Sequence, residues 1–400
     1  RSRERWLLLT LAGIQFTHIL DFMIMMPLGP QFTRIFGISN AQFGLLVSAY
    51  TLSAGLSGLL ASMAIDRFGR KRLLLWLYGL FGLATLACGL APTYAWLMAA
   101  RIAAGVFGGV LSALSQTVVA DVVPFERRGV AMGVVMTSFS VSTVAGVPLG
   151  LFLAAHWSWH MPFFAIAAVV AVLWLLIWQT FPVLDAHVHH HQGRSAWAGI
   201  AQVLADGGHL RAFALTGTMM LAGFLVIPYI TIYLQSNSGM RADQVPWVYL
   251  CGGVATLLTG RWIGQLSDRL GKARMFRRMA WLLPVPLMAS TLSEGLPLWA
   301  LLLISTSLFT VMSGRMIPGM ALISSAAQPR LRGTFMSLNS AVQSAAMGVA
   351  ALVGGLIIGR DAQGHLTHYW VAGLLGSLLS LATLWLVSRV RVHGAATPPR

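Results

Sequence analysis

The chain has 400 residues, 57% of them hydrophobic and only 10% charged, with a mean hydropathy of +0.74. Soluble domains are about 45–50% apolar and ~25% charged, so this composition excludes one and points to a chain that lives in a bilayer. A net charge of +16 would suit a nucleic-acid partner, but only if the cations were gathered for it, and they are spread by topology instead.

Apolar runs of about 20 residues, enough to cross ~30 Å of hydrocarbon as a helix, recur from one end to the other. They fall at 6–29, 42–65, 73–91, 94–119, 130–154, 160–181, 211–235, 246–266, 279–294, 297–326, 333–358 and 369–388. This predicts an all-α integral membrane protein with twelve transmembrane helices. With the N-terminus taken as cytoplasmic, 21 of the 27 Lys and Arg lie in inside segments, while Arg34, Arg241 and Arg360 lie in outside loops. The positive-inside rule requires that bias. Both termini are therefore expected in the cytoplasm of a multi-pass protein of the cell membrane, read as a bacterial inner membrane, and no nucleic-acid partner is expected. The first span is too long for a removable signal and lacks a small-residue cleavage site, so it reads as a permanent helix. Cys88 and Cys251 fall in separate apolar spans, where they act as small hydrophobes.

Within the first span, "FTHILDFMIMMPLGP" surrounds one aspartate, Asp21, with oily residues. Asp21 is the only one of the eleven acids placed well inside hydrocarbon. A carboxylate there costs ~2.5–3.5 kcal/mol on the insertion scale, which makes it a functional residue by default. Counted from Trp6 at 1.5 Å per residue, it lies about 22 Å from the cytoplasmic edge. Arg101, in a span running the other way, lies about 12 Å below the outer edge, so in a ~30 Å core the two depths agree within a turn. Asp21 and Arg101 are expected to meet across a cavity and to couple a proton to movement; the plainer alternative is a static pair that tethers two helices. His18 shares a helix face with Asp21 at i, i+3 and can relay or modulate the proton.

Gln15, Met25, Gln116, Arg315, Asn339 and Gln343 are the further candidates for a substrate cavity. The second half has no intramembrane acid to neutralise Arg261 and Arg315, so an anionic or polar solute fits better than a simple cation. Arg315 lies between Gly314 and Pro318, a weak point in its helix; Arg261, a turn before Gly264, is assigned to a cytoplasmic gate.

The longest polar connection, 182–210, reads as a cytoplasmic linker between an N-terminal six-helix bundle, 1–181, and a C-terminal one, 211–400. Its His187, His189, His190 and His191 have no Cys or carboxylate at tight spacing, so a solvated linker is expected and no metal site. The halves repeat one another. "SMAIDRFGRKR" from Ser62 returns as "GQLSDRLGKAR" from Gly264, 202 positions on, and "PFERRGVAMG" from Pro124 as "QPRLRGTFMS" from Gln328, 204 positions on. Duplicated six-helix halves related by pseudo-symmetry are a recurrent transporter plan, with the substrate site at their interface.

"DRFGRKR", Asp66 to Arg72, resembles the signature loop of the major facilitator superfamily, although Ser62 stands where that signature usually has Gly. "RIAAGVFGG", Arg101 to Gly109, resembles the Arg-Gly-Gly pattern of its fourth helix. "GVPLG", Gly146 to Gly150, resembles the Gly-Pro motif of the fifth helix in its antiporters, with Val147 between Gly146 and Pro148 in the manner of the sugar- and drug-efflux branch. Asp66 and Asp268 each follow an apolar helix and precede a basic turn, so each can accept hydrogen bonds from a neighbouring helix N-terminus while Arg70 pairs with an acid such as Asp121, a latch for one arrangement of the halves. These and Arg261 are the gating candidates, to which the resemblance adds Gly146 and Pro148. It also implies a monomeric secondary transporter, without cofactor or enzymatic activity, that exports a drug, sugar or other small metabolite or amphiphile in exchange for protons. A proton-coupled uptake symporter or facilitator is the nearest alternative, and a membrane sensor or structural protein is the alternative of another class.

Overall fold

The computed structural model describes residues 2–64, 69–122, 138–181, 196–328 and 331–390; the side chains of 2–4, 62, 64, 116, 120, 121 and 196 are not described. Asp66 and the four linker histidines lie outside these residues, as do the side chains of Gln116 and Asp121. The first helix runs from Ser2 to Met23 (α1) and is followed after a turn by α2, Gly29–Ile35. Three long helices come next: α3, Asn40–Ala64, α4, Arg70–Gly89, and α5, Tyr94–Val122. A π-helical turn, Ser142–Gly146, leads into α6, Val147–His156, and then α7, Met161–Thr180. Beyond the linker come α8, Ala196–Ala205, α9, Gly207–Phe224, α10, Ile230–Ser236, α11, Val245–Leu270, α12, Lys272–Leu282, α13, Pro284–Thr291, α14, Leu298–Ala326, α15, Arg332–Ile357, and α16, Tyr369–Val387. A two-stranded antiparallel hairpin, β1, Gly359–Arg360, with β2, Leu366–Thr367, joins the last two helices.

Among the described residues ten helices are long and apolar enough to cross a membrane. The two sequence spans without such a helix are charged or broken. Span 246–266 falls on α11, whose C-terminal part carries Arg261, Asp268 and Arg269, and span 279–294 falls on α12 and α13, which Pro284 separates. Proline lacks the N–H that an uninterrupted helix would need there.

Two sets of helices pack within themselves and touch along defined seams. In the first set α4 packs on α5 and α7, and α1 on α5 and α7; in the second α9 packs on α14, α15 and α16, and α12 on α14 and α16. Between the sets α3 lies along α15, α11 crosses the π turn and α6, and α2 meets α10. The segment expected to be bare linker holds a helix. In α8 the stretch "AWAGIAQVLA" is apolar at helical spacing, and Val203 is fully buried in a cluster with Phe213, Met219, Phe276 and Phe335.

The seam at the α2–α10 end is closed tightly. The ring of Phe22 stacks on Phe224 at 6.4 Å. Tyr229 Oη donates to the Ala351 carbonyl, and a Cβ on Gly44 would collide with both groups. Glycine at 44 therefore sets how close α3 can come to α15 and to Tyr229. Asn40 Nδ2 donates to the Ile358 carbonyl at 3.2 Å, and Arg360 donates back to Asn40 Oδ1 at 3.2 Å. Asn237 holds the hairpin from the other side, donating to the Leu366 carbonyl at 3.1 Å and accepting its N–H at 2.8 Å.

At the opposite end Asp206 caps α9. Its Oδ1 accepts the Gly208 N–H at 2.7 Å, and its Oδ2 accepts Gln328 Nε2 at 2.5 Å, tying the start of α9 to the end of α14. The Gly208 N–H holds the carboxyl below its ordinary value of 3.8, with the nearby His209 and Gln328 acting in the same direction. A carboxyl whose folded value is depressed stabilises the fold above its unfolded value and loses that contribution as pH falls through the folded one. Asp206→Ala is expected to cost ~1 kcal/mol at neutral pH, as a lost N-cap does, and the gap in thermal midpoint between the two proteins should narrow as pH is lowered below about 4. A gap that does not change with pH would mean that the charge is irrelevant to the cap.

Candidate functional site

Asp21 sits in the last turn of α1, on a helix that stops at Met23. The chain turns through Ile24–Leu28, with Pro27 and Pro30 withholding two N–H groups where the helix would otherwise continue. Stopping there leaves terminal carbonyls without helical donors. Arg101, on the second turn of α5, takes up one of them. Its Nη1 donates to Asp21 Oδ2 at 2.8 Å and also reaches the Asp21 backbone carbonyl at 3.3 Å. The pair is closed off from solvent, with Asp21 0% and Arg101 1% exposed.

The sequence around Arg101 makes this approach possible. Gly105 and Gly109 follow at one-turn spacing, and a Cβ at either would run into the backbone of α3, at Tyr50 and Ala54. With no side chains there, α5 lies directly on α3. This brings Tyr50 beneath the guanidinium, whose central carbon is 4.3 Å from the ring centroid. The contact adds a cation–π attraction where water is absent. Thr85 of α4 comes near Asp21 without reaching hydrogen-bond geometry, and Asp21 Oδ1 and Arg101 Nε both lack a hydrogen-bond partner among the described residues. The site therefore holds unused acceptor and donor capacity beside its one strong contact.

His18 stands a turn before Asp21, its ring tilted against Tyr50 at 6.1 Å and Phe81 at 6.2 Å. Both ring nitrogens are shielded and without partners among the described residues. Gly108 makes room for this ring, because a Cβ there would meet it. Neither Tyr50 nor Gly108 stood out in the sequence, since a tyrosine in an apolar run and a third glycine on α5 have no spacing of their own to mark them.

The other candidate residues are scattered. Gln15 and Met25 are buried in the packing around α1, at 3% and 1% exposure. Asn339, on α15, accepts the Thr216 hydroxyl at 2.6 Å inside the second set, and Gln343, a turn later, is half-buried. Arg315 is 1% exposed and among the described residues meets neutral acceptors only: Nη2 donates to the Met219 carbonyl at 2.8 Å and Nη1 to Ser380 Oγ at 3.2 Å, while Ser380 donates to the Ala280 carbonyl at 3.0 Å. One cation thereby links α9, α12, α14 and α16. Arg70, at the start of α4, is buried, whereas Arg261 and Asp268 on α11 are exposed. Gly146 closes the π turn and leaves space for Leu20 of α1, Pro148 opens α6, and Ser142 of the same turn donates to the Phe16 carbonyl at 3.1 Å. The π turn thus seats directly on the helix that carries Asp21. Among the described residues no group of three or more His, Cys, Asp or Glu could hold a metal ion.

Among the described residues, ten helices long and apolar enough to cross a membrane, with a solvent-shielded ion pair between two of them, have the build of a polytopic membrane transporter. The family model of the Major Facilitator Superfamily matches residues 11–277 and 212–400, and the chain belongs to that superfamily. It is 25% identical over 346 residues to the uncharacterized MFS-type transporter YtbD of Bacillus subtilis (strain 168), covering 86% of this chain and 85% of that one. Multidrug resistance protein 2 of the same organism is 24% identical over 283 residues, 69% of this chain and 70% of its own. Among solved structures, a D-xylose-proton symporter superposes with a TM-score of 0.75 at 17% identity, over 95% of this chain and 96% of that one. A bacterial homolog of the human lysosomal transporter Spinster, inward-facing and occupied, superposes with a TM-score of 0.72 at 15% identity, over 98% and 95%.

Breaking a buried pair by removing one partner typically costs ~3–5 kcal/mol, because the remaining charge is stranded. Asp21→Asn and Arg101→Gln are each expected to lower the thermal midpoint, and the double variant to lower it by less than the two losses combined. Melting the four proteins in one detergent checks this, and strict additivity would show that the two groups are not energetically coupled.

Proposed function

We propose that this protein exports a small organic solute by alternating access in exchange for protons, with Asp21 and Arg101 as the coupling pair. The observation that carries the reading is the lone intramembrane carboxylate held by a single guanidinium that has a second acceptor within reach. When Asp21 is charged, Arg101 binds its carboxylate and α1 is drawn to α5. When Asp21 takes a proton, the charge attraction is lost, yet Arg101 Nη1 still has the Asp21 carbonyl to donate to. The cation is never left without an acceptor, and the strength of the α1–α5 contact follows the proton. Tyr50 stays beneath the guanidinium throughout, and His18 is the adjacent group through which a proton can pass or be repelled.

The bias of Lys and Arg supports a cytoplasmic location for both termini, which makes the closed α2–α10 end the outer one. The arrangement then corresponds to an inward-facing state, in keeping with its likeness to an inward-facing Spinster homolog. On this reading Asp66, Arg70, Asp121 and Asp268 form the cytoplasmic latch of the opposite state, with Arg261 beside it, and the exposure of Asp268 and Arg261 fits a release of its second-half part. The repeated loop signatures support two six-helix bundles, twelve spans in all, divided near 182–210. Gln15, Met25, Gln116, Arg315, Asn339 and Gln343 remain the proposed lining of the cavity that forms as the bundles move. Export is favoured by the Gly-x-Pro element at Gly146–Pro148 and by similarity to a multidrug resistance protein. The fold shared with a proton symporter supports uptake as the second reading.

A ligand found by thermal-shift screening provides the direct test. Added to everted vesicles with an acid interior, it should collapse the pH gradient in the parent and leave it intact in Asp21→Asn, which should still bind the ligand. Collapse at the parental rate in Asp21→Asn would remove Asp21 from the coupling role, and concentrative uptake into right-side-out vesicles would reverse the direction.

The outer seal has its own test. A methyl group at Gly44 overpacks the contact with Tyr229 and Ala351, a class of change that costs ~1–3 kcal/mol. Gly44→Ala should therefore favour the outward-open state. In a Cys88→Ala, Cys251→Ala background, labelling of Phe224→Cys by a membrane-impermeant maleimide from outside should speed up on the order of tenfold. An unchanged labelling rate would show that Gly44 does not control this seam.

A further inference from the structure

Away from the coupling pair, a groove of about 720 Å³ runs along the outer surface between α4 and α7. Its floor is shaped by Gly79 and Gly82 of α4, where a Cβ would meet Trp174 and Val170 of α7. The one indole N–H in that floor is already used, since Trp174 Nε1 donates to the Leu75 carbonyl at 2.8 Å. Trp76 and Trp178, 69% and 58% exposed, stand at the walls near one end. Arg72 lies at that same end, exposed, with no ion-pair partner among the described residues. From Arg72 to Leu86 the groove extends about 21 Å along the helix, more than the ~15 Å half-thickness of a bilayer core.

We propose that this groove binds one anionic phospholipid of the leaflet that contains Arg72, with the headgroup phosphate on the guanidinium and an acyl chain along Gly79 and Gly82. A single cation at the mouth of an otherwise apolar channel matches an amphiphile with a negative head. The guanidinium forms paired hydrogen bonds to phosphate. Tryptophans beside the cation mark the level at which headgroups lie. A helix from a second copy is a poorer occupant, because it would press an apolar face against Arg72 and supply no acceptor for it. The site does not depend on which way solute moves or on whether protons drive it.

The test measures which lipids stay bound when the full-length protein is released from vesicles of equal phosphatidylglycerol and phosphatidylcholine and weighed intact by native mass spectrometry. The parent should retain phosphatidylglycerol preferentially. Arg72→Gln should reduce that preference about fivefold, the equivalent of ~1 kcal/mol for one headgroup contact, whereas Arg278→Gln, on another exposed surface, should not. Ala171→Phe fills the groove from α7 and should reduce retention of both lipids, while an unchanged melting curve shows that it folds. Equal losses in Arg72→Gln and Arg278→Gln would reduce the effect to a diffuse surface field and overturn the proposal. So would loss of a dimer, rather than of lipid, in Ala171→Phe.

Discussion

The structure is arranged around the difficulty of keeping one carboxylate inside hydrocarbon. An unpaired charge at that depth is costly, and a paired one is tolerable only if its partner can be brought close and the remaining polar atoms shielded. Each neighbouring feature contributes to that end. Glycines on α5 let it lie on the backbone of α3, which places Arg101 opposite Asp21 and Tyr50 under Arg101. The early stop of α1 frees the carbonyl that gives the guanidinium its second acceptor. The π turn before α6 packs on the same stretch of α1, at Phe16 and Leu20.

Much of this was legible in the sequence, because depth in a membrane is nearly a one-dimensional property. Residue counts alone put Asp21 and Arg101 at one level, whereas the glycines after Arg101 entered only through a family resemblance, and their role in seating α5 on α3 came from the structure. What could not be read depends on lateral placement. Nothing local to Gly44 reveals that Tyr229 and Ala351 arrive beside it, and nothing in "RMIPG" says that Arg315 will find a carbonyl of α9 and a serine of α16 in place of an acid or water. The stretch 196–205 was masked by its setting, as an apolar decapeptide inside a long polar connection, although its own periodicity is helical. Asp206 looked like one loop acid among several until α14 ended beside it and brought Gln328 within hydrogen-bond range.

The internal repeat carries scaffold and leaves the chemistry to one side. The 204-residue displacement that maps "PFERRGVAMG" onto "QPRLRGTFMS" takes Asp21 to Leu225 and Arg101 to Ser305, and both counterparts are buried without charge. The second set has a buried cation of its own, Arg315, but it is shared among neutral groups of four helices and has no titratable partner among the described residues. The two sets thus differ in chemistry under a repeated sequence plan, since one buries a charge pair and the other a cation shared among fixed dipoles. Two sets so unlike cannot answer one signal in the same way.

The break between α1 and α2 determines how that signal can travel. An uninterrupted helix from Ser2 to Ile35 would act as a rigid rod, and any swing of its outer end at the α10 contact would twist the carboxylate out of reach of Arg101. The five-residue turn at Ile24–Leu28 separates the two segments, so α2 need not share the axis of the helix that carries Asp21. A change of direction at the α2–α10 contact is therefore not of necessity a change of direction at the carboxylate.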